Sequence, residues 1–370
     1  MPNTREFNMN MRTRHQGFSL LEMMISMSLG LLVMGSMVQL FKMGTTTSRL
    51  VVQRTEMQQN MRAAIELMTK DISLAGSGLP DAGIQLPLGG KVSQYGCDQT
   101  TCHVPGGTYP SNGTPAVPNY MTGILPGYSN GVEAKAVIPA APGTRSDSIT
   151  VIYADYSFPL NQYWLDFPTP ASTGTQLNVN VPFPAPNPVP PLITSVGGIQ
   201  VGDVIWLSNS LGNAVGEVTA LNNGSLTFAD NDALLLNQSG AGITNNIRAL
   251  NNGTHLTGYR LFVVTYYLTV PANGESPRLM RQVNGRTPVP VADDVINLQF
   301  AYDLFNSDTN ALDPNQADPL SFPKDALGLI QKVNISVMGQ SLANSAKGAQ
   351  NMRLATSVSA RNMAFFDRYK

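Results

Sequence analysis

Charge is what this sequence has least of. Only 13% of its 370 residues are Asp, Glu, Lys or Arg, roughly half the share near 25% that is usual in soluble proteins. The formal net charge is -1, which gives phosphate no basic footprint, so nucleic acid is not an expected partner. Cysteine is down to Cys97 and Cys102, few enough to be one pair, and histidine to His15, His103 and His255. No G-x-S-x-G elbow, Walker loop or G-x-G-x-x-G occurs, so serine-hydrolase and nucleotide chemistry lack a local signature. With no catalytic cluster in view, the chain reads as a non-enzyme without a cofactor. Proline, with 26 copies in all, is missing from Phe18 through Gly78.

What is present is polar without charge. Asn, Gln, Ser and Thr supply the polarity, with 33 Gly, a composition that suits a loop-rich β protein outside the cytoplasm. The N-terminus carries Arg5, Arg12 and Arg14 against Glu6, and basic residues before an apolar helix hold that end in the cytoplasm. An uncharged run follows from Met23 to Phe41. At about 1.5 Å per residue, and counted from Phe18, it spans the roughly 30 Å hydrocarbon layer. A secretory signal would have a shorter apolar core and a small-residue cleavage site beyond it. Here more helix follows, so a membrane anchor fits better. Gly17 and Glu22 need a further reason.

The stretch "GFSLLEMMIS" (17–26) resembles the processing motif of type IV prepilins. The resemblance implies cleavage between Gly17 and Phe18 by a prepilin peptidase and N-methylation of Phe18. It also makes Glu22 the acid that recognises a neighbouring subunit during filament assembly. Physics supplies a mechanism. A carboxylate in mid-bilayer costs about 2.5–3.5 kcal/mol, and less near a helix end. Cleavage would free an amine on Phe18, with an ordinary pKa near 8, for a neighbour's Glu22 to meet. A head-to-tail contact of that kind propagates a filament.

Beyond the membrane run the helical pattern continues. Leu50, Met57, Met61, Ala64, Met68, Ile72 and Ala75 form one apolar stripe. Arg49, Arg54, Glu56, Arg62, Glu66, Lys70 and Asp71 are expected mostly off it. Gly76-Ser77-Gly78 and Pro80 end the helix. Residues 79–142 read as long loops, and 181–191 as a polyproline-type connector. Strands are expected at 146–155, 202–210, 214–221, 225–230, 259–270, 278–285, 295–305, 330–339 and 353–363. Asn222-Asn223-Gly224 is a hairpin signal.

"SDSITVIYAD", "RLMRQVNGRTPVPVADDVINLQFAYDL" and "ATSVSARN" are similar to the PilW family of large minor pilins. That implies an α+β, type IV pilin-like fold with a long N-terminal helix packed on a large, loop-rich antiparallel sheet domain. The expected domains are a leader (1–17), the helix (18–78) and an exported β-rich domain (79–370). Residues 18–41 of the helix would be transmembrane or in the filament core, and 42–78 amphipathic. Major pilins often have a proline in the apolar segment where this chain has Gln39, which argues against a bulk filament subunit.

Two clusters carry other chemistry. "CDQTTCH" (97–103) offers two thiolates and an imidazole, but zinc wants a fourth ligand. In an oxidising compartment a Cys97–Cys102 disulfide is the simpler reading. Asp303, Asn306, Asp308, Asn310 and Asp313 form a weak calcium candidate. They lack the mid-loop glycine and closing glutamate of an EF-hand, and a polar turn between strands is the bland alternative.

The function expected is therefore a minor pilin of type IV pilus assembly, in or priming the filament and near its tip. Its partners would be other minor and major pilins, the prepilin peptidase and the inner-membrane assembly platform. It would sit as a single-pass inner-membrane protein with a periplasmic domain, then at the cell surface. The alternatives are a minor pseudopilin of type II secretion and a membrane-anchored periplasmic adhesin or enzyme.

Overall fold

The computed structural model describes residues 17–80, 83–109, 120–133, 145–158, 160–168, 175–180, 198–222, 224–251, 255–271, 276–306, 309–321, 327–341 and 350–363. Most of the leader, the connector at 181–191 and Asp308 lie outside these residues. The chain divides into two compact units, Met1–Gln53 and Arg54–Lys370. One helix, α1 (Leu20–Ser73), opens the chain. The strands follow in order as β1 (Ile84–Gln85), β2 (Tyr120–Met121), β3 (Ile124–Gly127), β4 (Ser148–Asp155), β5 (Trp164–Asp166), β6 (Gln176–Asn180), β7 (Val204–Asn209) and β8 (Gly212–Glu217). The second half adds β9 (Ala220–Asn222), β10 (Ser225–Thr227), β11 (Thr257–Thr269), β12 (Arg278–Val283), β13 (Val289–Ala292), β14 (Val295–Asn306), β15 (Ala311–Gln316), β16 (Ile330–Gln340) and β17 (Asn351–Ser359). The chain is α+β, a long N-terminal helix followed by a large antiparallel sheet domain, as the sequence led us to expect.

The helix lasts because nothing within it breaks it. No proline interrupts it, and its hydroxyls bond back to its own carbonyls: Ser26 Oγ donates to Glu22 O at 2.8 Å and Ser36 Oγ to Val33 O at 2.7 Å. A polar side chain in an apolar run is thereby satisfied locally. Regular helix stops at Ser73, short of the expected Gly78, and residues 74–78 are turn. Gly76 and Gly78 both have positive φ, 76° and 70°. A Cβ on Gly78 would fall 2.0 Å from the Tyr156 hydroxyl, so this exit needs glycine for room as well as conformation.

In the second unit the expected stripe is buried: Met57, Met61, Ala64, Met68, Ile72 and Ala75. It packs on two sheets. One runs β13-β12-β11-β4-β3, with β7 and β8 branching from β11, and the other runs β15-β14-β16-β17. Ile149, Val151 and Tyr153 of β4, Val264 and Leu268 of β11, and Leu298, Phe300, Val333, Ile335 and Val337 of the second sheet share this core. Each fully buried side chain of this size contributes about 1.5–3 kcal/mol. The other face of the first sheet is covered as well. Ile152 and Ala154 meet Leu86, Tyr95, Tyr109, Leu234 and Leu236 there, which is why β4 is buried along its whole length. The segment expected as plain loop is thus in part a core-covering layer, with β1, β2 and β3 inside it. A third core lies around the small β5-β6-β10-β9 sheet.

The run expected as one strand at 214–221 is split. β8 stays with β7, then Val218 N donates to Asp203 O and Thr219 N to Thr227 O, and the chain passes into the small sheet. The hairpin signal holds, since β9 and β10 pair antiparallel around it.

Candidate functional site

Gly17, Phe18 and Ser19 precede α1, and the Ser19 carbonyl accepts from Glu22 N at 3.0 Å and Met23 N at 3.1 Å. Glu22 is therefore in the first turn, where a carboxylate interacts favourably with the helix dipole. The residues around it are bare: Phe18 is 82% exposed and Leu20 81%. The helix is long and apolar enough to cross a membrane, and its apolar window buries none of its surface within the chain. A Cβ on Gly17 would meet nothing within 4 Å, and its backbone is outside the left-handed region. The fold itself has no need of glycine at 17.

Cys97 and Cys102 are joined by a disulfide, with Cα atoms 3.9 Å apart. The bonded sulfurs leave no thiolate for zinc. Asp98 N donates to Thr101 O within the loop and His103 N to Gly96 O across its base. His103 Nε2 lies 3.0 Å from Asp98 Oδ2, and its ring stacks on Tyr267 at 5.6 Å. Burial opposes ionisation of Asp98, but bonds from Thr100, His103 and Thr101 outweigh it and hold its carboxyl well below the usual range. From this loop Gln99 Nε2 reaches Glu217 Oε1 at 3.1 Å.

Glu217 has no exposure, and Leu234 N donates to its Oε2 at 2.9 Å. Burial first, and the neighbouring Asp232 second, push its carboxyl up to about 9. Asp232 is also raised by burial, so the two acids share a proton inside the fold. The pair is not legible in the sequence, because the two acids stand 15 residues apart, Glu217 in an apolar strand and Asp232 in a polar Asp-Asn-Asp turn.

Asp71 is the clearest departure from expectation. It lies on the buried side of α1, 2% exposed. Tyr153 donates to its Oδ1 at 2.9 Å, Tyr266 to its Oδ2 at 2.6 Å and Arg281 Nε to its Oδ2 at 2.9 Å. The signal was there: Asp71 follows Met68 by three positions and precedes Ile72 and Ala75. Its spacing puts it on the stripe, and the charge misdirected the reading.

Of the calcium candidates, Asp303, Asn306, Asn310 and Asp313 fall on the β14–β15 hairpin, and Asp308 lies outside the described residues. Asp303 Oδ1 accepts from Asn315 N and Asn334 Nδ2, both at 2.9 Å, and Asp303 Oδ2 has Lys332 Nζ at 3.5 Å. Asn306 Nδ2 donates to Asp313 Oδ2 at 3.3 Å, while Asn310 takes a positive φ of 48° at the turn. These contacts are those of a polar turn. Among the described residues no group of three His, Cys, Asp or Glu is placed to hold a metal.

Residues 12–38 match the family model of the prokaryotic N-terminal methylation motif. No curated protein and no solved structure matches the chain. The matched stretch contains Gly17, Phe18 and Glu22 and most of the exposed apolar half of α1. A methylation motif opening an apolar helix long enough to cross a membrane, followed by an antiparallel sheet domain, supports a membrane-anchored, type IV pilin-like protein.

Proposed function

We propose that the chain is a minor pilin of type IV pilus assembly, of the large PilW-like kind. It acts by insertion and packing, not by turnover. Prepilin peptidase cuts between Gly17 and Phe18, the β-rich unit faces the periplasm, and other pilins are its partners. The observation that carries this reading is Gly17: a glycine the fold does not require, within a methylation motif, three residues before an exposed apolar helix whose first turn holds Glu22. The PilW-like segments, which form β4, β12 to β14 and β17, and the size of the sheet domain support a large minor pilin over a bulk subunit.

The test is the N-terminal mass of the protein purified from membranes and from sheared filaments. The expected chain starts at N-methylated Phe18, and Gly17→Leu keeps the leader attached. A membrane form retaining the leader in wild-type cells would sink the reading. Deleting the gene separates the pilus role from the type II secretion alternative. Loss of surface pili supports the proposal, whereas intact pili with blocked enzyme secretion assigns a pseudopilin.

A further inference from the structure

The second sheet ends on one side at β17, and no described element pairs with its far edge. Ser341 N donates to Gln350 O and Ala360 N to Gln331 O, and the register between these points is unbroken. Antiparallel pairing alternates. Met352, Leu354, Thr356 and Val358 therefore exchange their backbone bonds with β16, and Arg353, Ala355 and Ser357 turn N–H and C=O outward. These outward residues are exposed.

The sheet is also unfinished on its core side. Val337 is fully buried, but its cross-strand partner Leu354 is only half-buried, as is Met352 opposite Gly339. A further strand would cover both.

Other outer strands are blunted. β3, β13 and β15 carry Pro126, Pro290 and Pro314, and β13 and β15 pair through register shifts. β8 has its Glu217 N–H and C=O taken by the Asn237 side chain. Proline and irregular pairing are the usual defences of an edge, and β17 has neither.

Two arginines stand on and just past this edge strand. Arg353 and Arg361 are both exposed, and among the described residues neither meets a carboxylate. Beside the Ser357–Arg361 end runs a groove of about 430 Å³, lined by Thr69 and Ser73 of α1 with Ser357, Ser359 and Arg361.

We propose that β17 accepts an extended, carboxylate-bearing segment of a different pilin subunit as a fifth strand of this sheet. Main-chain bonds to residues 351–359 would give the affinity, and Arg353 and Arg361 the choice of partner. A second copy of this chain is the wrong occupant. Two identical β17 edges would bring together four arginines and close a twofold dimer, while a filament needs a contact that does not close. The inference rests on the minor-pilin reading and names its partner surface.

The test uses the full-length chain in cells, with a photo-crosslinking amino acid at Ser357. The expected adduct is with another methylation-motif protein, and peptide mapping places it in an extended segment containing Asp or Glu. Ala355→Pro removes an outward N–H only, so it should leave the melting temperature unchanged yet cut adduct yield about tenfold, the loss of one or two bonds and the fit around them. The second variant, Arg353→Glu with Arg361→Glu, should also cut the yield without touching the strand backbone. An adduct with a second copy, an adduct with a protein lacking the motif, or no adduct from chains processed at Phe18 and present in filaments overturns the strand proposal alone. Chains that are never processed overturn the minor-pilin reading with it.

Discussion

Asp71 and Arg281 meet across the boundary between helix and sheet, Arg281 Nε donating to Asp71 Oδ2 at 2.9 Å. The pair is reinforced by the Tyr153 and Tyr266 hydroxyls on the same carboxylate. Burial, and after it the charge of Asp71, raises both tyrosines well above the usual phenol range. They stay protonated and act as donors. Arg281 loses some of its preference for charge through burial, but bonding to Asp71 more than restores it. One helical acid is thus tied to two strands of the first sheet, β4 and β11 through the tyrosines, and to β12 through Arg281.

Removing one partner of a buried pair is costlier than removing both. Asp71→Ala should destabilise the protein by about 3–5 kcal/mol, since Arg281 and two hydroxyls are left facing apolar surface. Asp71→Leu combined with Arg281→Met should recover a large part of that loss. Thermal unfolding of the full chain in detergent compares them. A double variant no better than the single one would show that the network does not act as a unit.

Glu217 gives a pH signature. Unfolded, its carboxyl ionises near the ordinary 4.5, and folded it keeps its proton to about 9. Between these values the folded chain binds the extra proton, so stability is full below about 4.5 and falls as pH rises toward 9, by at most about 1.4 kcal/mol per unit. Glu217→Gln imitates the protonated acid and should flatten that slope, leaving Leu234 N with its acceptor. Melting temperatures at several pH values between 5 and 9 would read it. An unchanged slope in the variant moves the effect elsewhere.

Reducing the Cys97–Cys102 bond should act locally. Chain entropy for so short a loop is worth about 2–3 kcal/mol. Cys97 is buried and Cys102 exposed, so the loop should loosen around its outer half and withdraw Gln99 from Glu217. Amide exchange should rise within residues 96–103 and stay unchanged in β11 and β14. Global unfolding on reduction would mean the loop has a larger structural role than its contacts show.

The helix and strands were legible because their signals are periodic: the methionine stripe at three and four residues, and alternation in β11, β14, β16 and β17. Sequence could not show that residues 84–109 cover a sheet face, because Leu86, Tyr95 and Tyr109 are scattered among glycines and turns with no period. The buried acids were hidden for a related reason. Asp71 finds its partners far along the chain, and Glu217 and Asp232 are held beside each other by burial, whereas charge in a linear sequence reads as surface. The N-terminal methylation motif was legible because its signal is local, with Gly17, Phe18 and Glu22 within one short stretch of the matched residues 12–38.

Glu22 yields the last prediction. It is held in the first turn of α1 with apolar neighbours bare on every side, Leu21 68% and Met23 66% exposed. Replacing it with alanine takes a charge out of the membrane segment, so insertion should be as good or better. Processing at Gly17 should persist, since the cut lies outside the helix. Incorporation into the filament should fail, because a neighbouring chain's Phe18 amine would enter an apolar core without a counter-charge, at a cost of several kcal/mol. Glu22→Gln, which keeps the shape and an acceptor, should fall between. The measurement is the ratio of this protein in sheared filaments to that in the inner membrane. If Glu22→Ala reaches filaments at the wild-type ratio, the carboxylate is only a tolerated charge at a helix end, and the head-to-tail pairing is wrong.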